Sequence, residues 1–351
     1  MIKYILKKTV YGFLVLLGVV LIVFFLFKFM PDPARMTMGQ RADISSIEAI
    51  RKEEYLDELL LKQFQYYLRD ISPFSVHENT PESRQKYNYI PLFSLGDNRV
   101  WVIKKPYLRR SYQNKRLVSE IISQALPTTV ILGFTAITLA SILGILFGCV
   151  AAVKQHRFWD QFIQVFAILG YSQPPYFSGV ILALVFGYYL APLTGLNSSG
   201  GLFALDDYGN EIIIWKNLIL PALALGIRPV AIIMQLTRSA MLDVLSQDYI
   251  RTAYAKGLNF SAILIKHALR NALNPVITVI SGWFAAILSG AFFIEIIFDF
   301  KGLGYETIKA LNNLDFPVAM GCVLFTATVF VLINILVDIM YGWLDPRITY
   351  H

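Results

Sequence analysis

The sequence predicts an all-α membrane protein with six transmembrane helices and a large extracytoplasmic loop after the first helix. Three observations lead there. Apolar residues make up 56% of the 351 and charged residues only 16%, against roughly 25% charged in an ordinary soluble domain. Charge-free runs reach the roughly 20 residues that a helix needs to cross about 30 Å of hydrocarbon. Basic residues gather in alternate connections, as membrane topology requires. The excess of 31 basic over 24 acidic residues therefore reflects topology rather than affinity for nucleic acid. Cys149 and Cys322 lie inside apolar runs, and their number excludes a disulfide scaffold.

The first element, residues 1–30, contains the uncharged run Val10–Phe27, closed by Lys28, Pro31 and Pro33. Lys3, Lys7 and Lys8 look like the start of a signal peptide. The run is too long for a typical signal core, however, and it lacks a small-residue cleavage site, so a retained first span is expected. The loop region 31–117 is the one soluble-looking stretch. Ser45-Ser46-Ile47-Glu48 offers a capping box, and apolar residues at helical spacing predict a helix near 46–70. Pro73, Pro81, Pro91 and Pro106 then predict irregular chain over 72–114, with a short strand at Val100–Ile103.

Residues 118–343 form a five-helix core, followed by a cytoplasmic tail at 344–351. Leu126–Val153 is the second span, and the uncharged chain from Gln161 to Leu205 supplies a third near 162–190. A fourth near 217–237 is interrupted by Arg228-Pro229, where a kink is expected. The fifth covers about 274–297, with Glu295 near its end, and the sixth is Phe316–Val337. Counting the short connections with the N-terminus inside puts 11 basic residues in the cytoplasm, including Lys154, Arg157, Arg238, Arg251, Lys256 and Arg347. Only three, Lys216, Lys301 and Lys309, fall outside. Both termini are therefore expected in the cytoplasm.

Small residues recur at every fourth position of the second span: Ala136, Ala140, Gly144, Gly148 and Ala152. The fifth carries two such stripes, Ser281-Ala285-Ser289 and Gly282-Ala286-Gly290. Small stripes allow close helix packing in membranes. Packing within the subunit accounts for both; the alternative is that Ser281, Ala285 and Ser289 line a substrate path beside a sister subunit. Arg228 costs about 2.5–3.5 kcal/mol at a span centre. It must face protein or water, so it either pairs with an acid such as Asp338 or Glu295 or contributes to the path.

The most distinctive stretch is DYIRTAYAKGLNFSAILIKHALRNALNPVI, within the cytoplasmic loop 241–273. It reads as two amphipathic helices joined at Gly257. Asp248 and Tyr249 suit a helix start. Ala253, Ala255 and Gly257 permit close approach, and Gly257 allows the backbone to turn. Arg251 and Lys256 could pair with acidic groups on a partner. The bland alternative is a helix lying on lipid headgroups.

The loop resembles the coupling loop of ABC-importer permease subunits of the dipeptide/oligopeptide class. The resemblance rests on Asp248, Tyr249, Arg251, Thr252, Ala253, Ala255, Lys256, Gly257 and Leu258, with His267-Ala-Leu-Arg-Asn-Ala-Leu and Pro275 beyond. It extends to the first span, Pro127-Thr128-Thr129, Leu220-Pro221-Ala222, Gly302-Leu-Gly304, Asp315-Phe316-Pro317 and Leu344-Asp345-Pro346-Arg347. The usual glycine after the first span is missing, and Lys301 stands where a proline is common.

The resemblance implies the type I ABC-importer permease fold in a bacterial inner membrane. It implies four kinds of partner: a homologous second permease, two ABC ATPase subunits or domains, an extracytoplasmic substrate-binding protein and the lipid bilayer. No nucleic acid, catalytic residue, metal or cofactor is implied. The substrate class spans peptides, nickel and sugars. The chain has no Gly-Lys dipeptide and so no GxxxxGK[ST] phosphate loop, which leaves ATP hydrolysis to partners. A secondary transporter would place acids at mid-membrane, where these spans offer almost none. An intramembrane enzyme would need a nucleophile–base or carboxylate pair, and the spans contain neither.

Overall fold

The computed structural model describes residues 2–28, 55, 57–96, 98–206 and 208–344. In chain order, α1 (Ile2–Lys28) is followed by α2 (Leu60–Ile71), β1 (Phe74–Glu78), α3 (Pro81–Tyr87), β2 (Ile90–Ser94) and β3 (Arg99–Ile103). Then come α4 (Val118–Val153), α5 (Phe158–Ser172), α6 (Pro175–Leu184), and a two-stranded ribbon of β4 (Phe203–Leu205) and β5 (Glu211–Ile213). The remainder is helical: α7 (Ile219–Leu245), α8 (Asp248–Ala255), α9 (Arg270–Gly290), α10 (Phe292–Ile297), α11 (Leu303–Asn312) and α12 (Phe316–Leu344).

Among the described residues, four stretches are long and apolar enough to cross a membrane: Leu6–Phe27, Val118–Val153, Trp215–Leu245 and Phe316–Ile339. A fifth is added if Phe158–Ser172 and Pro175–Tyr189 count as one span, but that pair is bent by 109°. The stretch expected as the third span, near 162–190, is therefore a bent pair of helices. Pro174-Pro175 is the cause. Gln173 and Pro174 take extended ψ values of 138° and 142°, because a residue before proline is pushed out of the helical region.

Two compact units are distinguishable: the described parts of 17–124 with 306–325, and those of 2–16, 125–305 and 326–344. The first holds an ordered subdomain where irregular chain was expected. The strand at Val100–Ile103 is present as part of β3, but it sits centrally in an antiparallel sheet of order β1-β3-β2. One sheet face buries Ser75, His77, Val100 and Val102 against Tyr87 and Tyr89. Thr80 caps α3 by accepting from the Ser83 N–H at 3.2 Å, and Pro81 fits the first helical turn. Of the helix expected over 46–70, residues 57–59 are not helical and Leu60–Ile71 is; the proposed capping box lies outside the described residues. Asp70 is buried, accepting from Tyr87 Oη at 3.0 Å and from Arg109 Nε at 3.3 Å, while Lys104 Nζ donates to its carbonyl. Asp315, in the Asp-Phe-Pro motif, accepts from the Ser111 hydroxyl and from the Tyr112 N–H.

Burial makes this subdomain acid-sensitive. His77 is 3% exposed, and desolvation, helped by Arg69 and Lys104, pulls its pKa down to about 4. The neutral ring is thus favoured in the fold. Its stabilisation is complete above the unfolded value of about 6.5 and is lost as pH falls towards 4, a swing of about 3 kcal/mol. Thermal unfolding of the full-length protein at pH 7 and pH 4.5 should show His77→Gln losing less stability on acidification than wild type. Equal losses would rule the histidine out.

In the second unit, the α4 stripe is an internal packing face. Ala136 and Ala140 are fully buried. A Cβ on Gly144 would lie 2.7 Å from Ile233 Cγ2, and one on Gly148 would lie 2.7 Å from the Met234 carbonyl oxygen. Helices α4 and α7 thus approach backbone to backbone, as small residues allow. At the α4–α5 turn, Asp160 accepts from Arg238 Nε and Nη2 at 2.7 and 2.8 Å and also from the His156 N–H at 2.9 Å. That bidentate pair ties the start of α5 to the last third of α7.

Candidate functional site

The loop after α7 is packed on one side and exposed on the other. Gln247 leaves the helix with extended backbone, φ −73° and ψ 149°, and α8 starts at Asp248. Its first-turn carboxylate favours the positive end of the helix and lies 3.3 Å from Arg251 Nη1. The N-cap residue, Gln247, makes no side-chain cap bond, so the side-chain support at this end is the charge of Asp248. One face of α8 is anchored: Ile250 and Ala253 are 1% and 7% exposed, packed with Ala152, Met241, Ile263, Ala268 and Ala272. Tyr249 Oη accepts from Asn271 Nδ2 at 2.9 Å, a second fastening to the following helix.

Gly257 ends α8. Its φ is +80°, and its N–H donates to Tyr254 O at 2.9 Å while the Leu258 N–H donates to Ala253 O at 3.3 Å. This is a Schellman motif with glycine at the left-handed position. A Cβ there would meet nothing within 4 Å. Backbone conformation, not crowding within the chain, therefore requires the glycine. Asn259 then accepts from the Ala262 N–H at 2.8 Å, capping a short turn, Phe260–Ala262. The chain continues through a π-helical segment, Ile263–Leu269, straight into α9. The second loop helix is thus one continuous rod with the helix at the fifth-span position, not the short separate helix expected.

This geometry sorts the residues singled out from the sequence. Asp248, Tyr249, Arg251, Thr252, Ala255, Lys256, Gly257 and Leu258 are all exposed on one projecting surface. Ala253 is not. Spaced three residues from Ile250, it turns into the chain's own core, so it supports the loop rather than offering close approach to a partner. Tyr254 and Phe260, at 48% and 46% exposure, belong to the surface but were not anticipated. Spacing gave no signal for Tyr254, which stands four residues after the buried Ile250 and is nonetheless exposed.

No hydrogen bond or ring contact joins the described residues expected along a path. Asp338 is paired with Lys8 at 2.8 Å, and Glu295 is bonded to Thr129 and the Tyr305 N–H, so neither expected acid serves Arg228. The guanidinium instead lies 5.4 Å from the ring centroid of Tyr171, a cation–π contact. Among the described residues its Nε has no hydrogen-bond partner. Ser281 bonds the Ile277 carbonyl at 2.9 Å and Ala285 is fully buried. The exposed stripe of α9 is the neighbouring one, with Gly282 and Ala286. The side chain of Ser289 lies outside the described residues.

Residues 144–350 match the family model described as the binding-protein-dependent transport system inner membrane component, and residues 1–133 match the N-terminal model of such membrane components. The chain belongs to this family. Among its relatives, the dipeptide transport system permease protein DppB of Bacillus subtilis (strain 168) is 36% identical over 308 residues, covering 87% of this chain and 85% of that one. The protein of the same name from Alkalihalophilus pseudofirmus is 32% identical over the full length of both chains. That of Escherichia coli (strain K12) is 38% identical over 268 residues, covering 72% and 79%. The solved inward-facing MetNI methionine ABC transporter overlays with a TM-score of 0.49 at 14% identity, covering 65% of this chain and 97% of that one. As a member of this transport family, the protein is a predominantly helical, multi-pass inner-membrane component and not an enzyme.

Proposed function

We propose that this chain is the permease subunit of an ATP-driven importer of di- and oligopeptides, coupled to its ATPases through the surface of α8 and Gly257. The observation that carries this is the exposed α8 surface, fastened to two long helices by Ile250, Ala253 and the Tyr249–Asn271 bond. The dipeptide-transport relatives support the substrate class. A helix that is exposed on one face and packed on the other can receive a push and pass it on. Here the push would reach α7 through Met241 and α9 through Ile263, Ala268 and Ala272. The chain would span the membrane six times, through α1, α4, the bent α5–α6 pair, α7, α9 with α10, and α12. Its N- and C-termini and the 241–273 loop would face the cytoplasm, and 31–117 would lie outside.

A homologous permease would complete the translocation path, two ATPase subunits or domains would supply hydrolysis, and an extracytoplasmic binding protein would deliver substrate. Proteoliposomes carrying the assembled transporter should accumulate labelled dipeptide only with ATP on the ATPase side and binding protein on the other. Accumulation of nickel in place of dipeptide would overturn the substrate assignment.

Arg228, whose guanidinium lies against Tyr171, is assigned to the path, whereas Ala285 is fully buried and is a packing residue. A half-buried guanidinium whose contact among the described residues is an aromatic face retains donors for a substrate carboxylate. Arg228→Gln should lower dipeptide uptake at least tenfold while leaving basal ATP hydrolysis within about twofold, since one charged hydrogen bond is worth about 1.5–3 kcal/mol. Unchanged uptake would return Arg228 to a packing role.

A further inference from the structure

A groove of about 460 Å³ runs between α4, α5 and α7. Every residue lining it is apolar, among them Phe147, Val150, Trp159, Phe166, Ile227 and Val230. One end lies at the α4–α5 turn. The Lys154 N–H donates to the Val150 carbonyl at 3.0 Å, placing Lys154 one turn beyond the groove wall, and Arg157 directly precedes the helix that carries Trp159. Lys154, His156 and Arg157 are all exposed. Asp160, the acid of this turn, does not neutralise them. Both its oxygens are engaged by Arg238, and one also takes the His156 N–H.

We propose that this groove holds an acyl chain of an anionic phospholipid, with the phosphate against Lys154 and Arg157. Charge complementarity favours this occupant over a neutral lipid or a helix of a second subunit. An apolar helix would fill the groove but would give the cations at its end nothing to pair with. A lipid with a phosphate diester and a second negative or polar headgroup group satisfies both parts at once. Basic pockets beside membrane helices bind such headgroups, and tryptophan prefers the headgroup level where Trp159 would then lie. The inference depends on the chain's membrane location and not on its substrate, so failure of the peptide assignment would leave it standing.

The test reads Trp159 fluorescence in the assembled transporter, reconstituted into phosphatidylcholine vesicles containing brominated phosphatidylglycerol or, in parallel, brominated phosphatidylcholine. Subtracting the signal of a Trp159→Phe complex isolates this residue from the other four tryptophans. Brominated phosphatidylglycerol should occupy the site in preference, by about fivefold for each basic side chain engaged. Lys154→Gln/Arg157→Gln, two changes at exposed positions, should bring that preference close to unity. Equal quenching by both lipids in the wild type would mean ordinary lipid contact and overturn the proposal. Quenching by neither would mean that protein covers the groove, and would overturn it too.

Discussion

Gly257→Asp should reduce substrate-stimulated ATP hydrolysis by the assembled transporter more than tenfold while the permease still folds and inserts. The position separates folding from docking. A Cβ here would meet nothing within 4 Å in its own chain, so there is no crowding at the backbone. The φ of +80° is one that aspartate and asparagine adopt more readily than other side chains, at a cost of about 1 kcal/mol. In a partner's cleft the situation differs. A carboxylate enclosed there without a counter-charge costs several kcal/mol, and each 1.4 kcal/mol is a factor of about ten in complex formation. Gly257→Asn has nearly the same size and backbone tolerance, so it should lose distinctly less, and the difference between the two variants reads the charge alone. If hydrolysis and uptake in Gly257→Asp match wild type, the loop is not the coupling joint.

Glu295→Ala should lower the thermal midpoint of the detergent-purified protein by roughly 5–10 °C, corresponding to about 3 kcal/mol. Glu295 is fully buried. One oxygen accepts from Thr129 Oγ1 at 2.7 Å and the other from the Tyr305 N–H at 2.9 Å, while the Leu303 N–H donates to Thr129 Oγ1 at 2.8 Å. Two of the amides left unsatisfied at the start of α11 are thereby bonded, and a carboxylate sits where the helix dipole favours it. Truncation leaves a buried hydroxyl and an amide without their acceptor. Gly302→Ala should act in the same direction by roughly 1–3 kcal/mol, because its Cβ would fall on Glu295 Oε1 and Thr129 Oγ1. Unaltered unfolding in Glu295→Ala would show that the network is dispensable.

These two sites show what a sequence exposes and what it hides. The apolar runs of α1, α4, α7 and α12 are visible because membrane spans need length without charge, and length is a one-dimensional property. The turn at Gly257 is visible for the same reason: a Schellman motif is closed within six residues. Glu295 and Thr129 are 166 residues apart and Asp160 and Arg238 are 78 apart, so neither pairing has a local signature. Gly302-Leu-Gly304 can be matched to a family pattern, but its physical reason, the buried carboxylate beside it, needs the fold. Pro174-Pro175 carried the information for the bend between α5 and α6, yet the uncharged run around it outweighed the proline signal. The outer sheet was obscured because Pro73 and Pro91 flank or interrupt strands of only five residues. Half of its core, Tyr87 and Tyr89, lies outside the strands and packs on Val100 and Val102 of β3. Ala253 was assigned to the wrong side because its small size suited docking, whereas its spacing from Ile250 already placed it inward.

Photo-crosslinking from Ala255 tests the central claim most directly, since that residue is exposed in the middle of the projecting surface. With a photoreactive amino acid at position 255 of the assembled, hydrolysing transporter in membranes, illumination should join this chain to an ATPase subunit in high yield. The adduct should weaken in the Gly257→Asp background. Adducts with lipid alone, in a complex that still hydrolyses ATP, would contradict the account and place α8 on the headgroups.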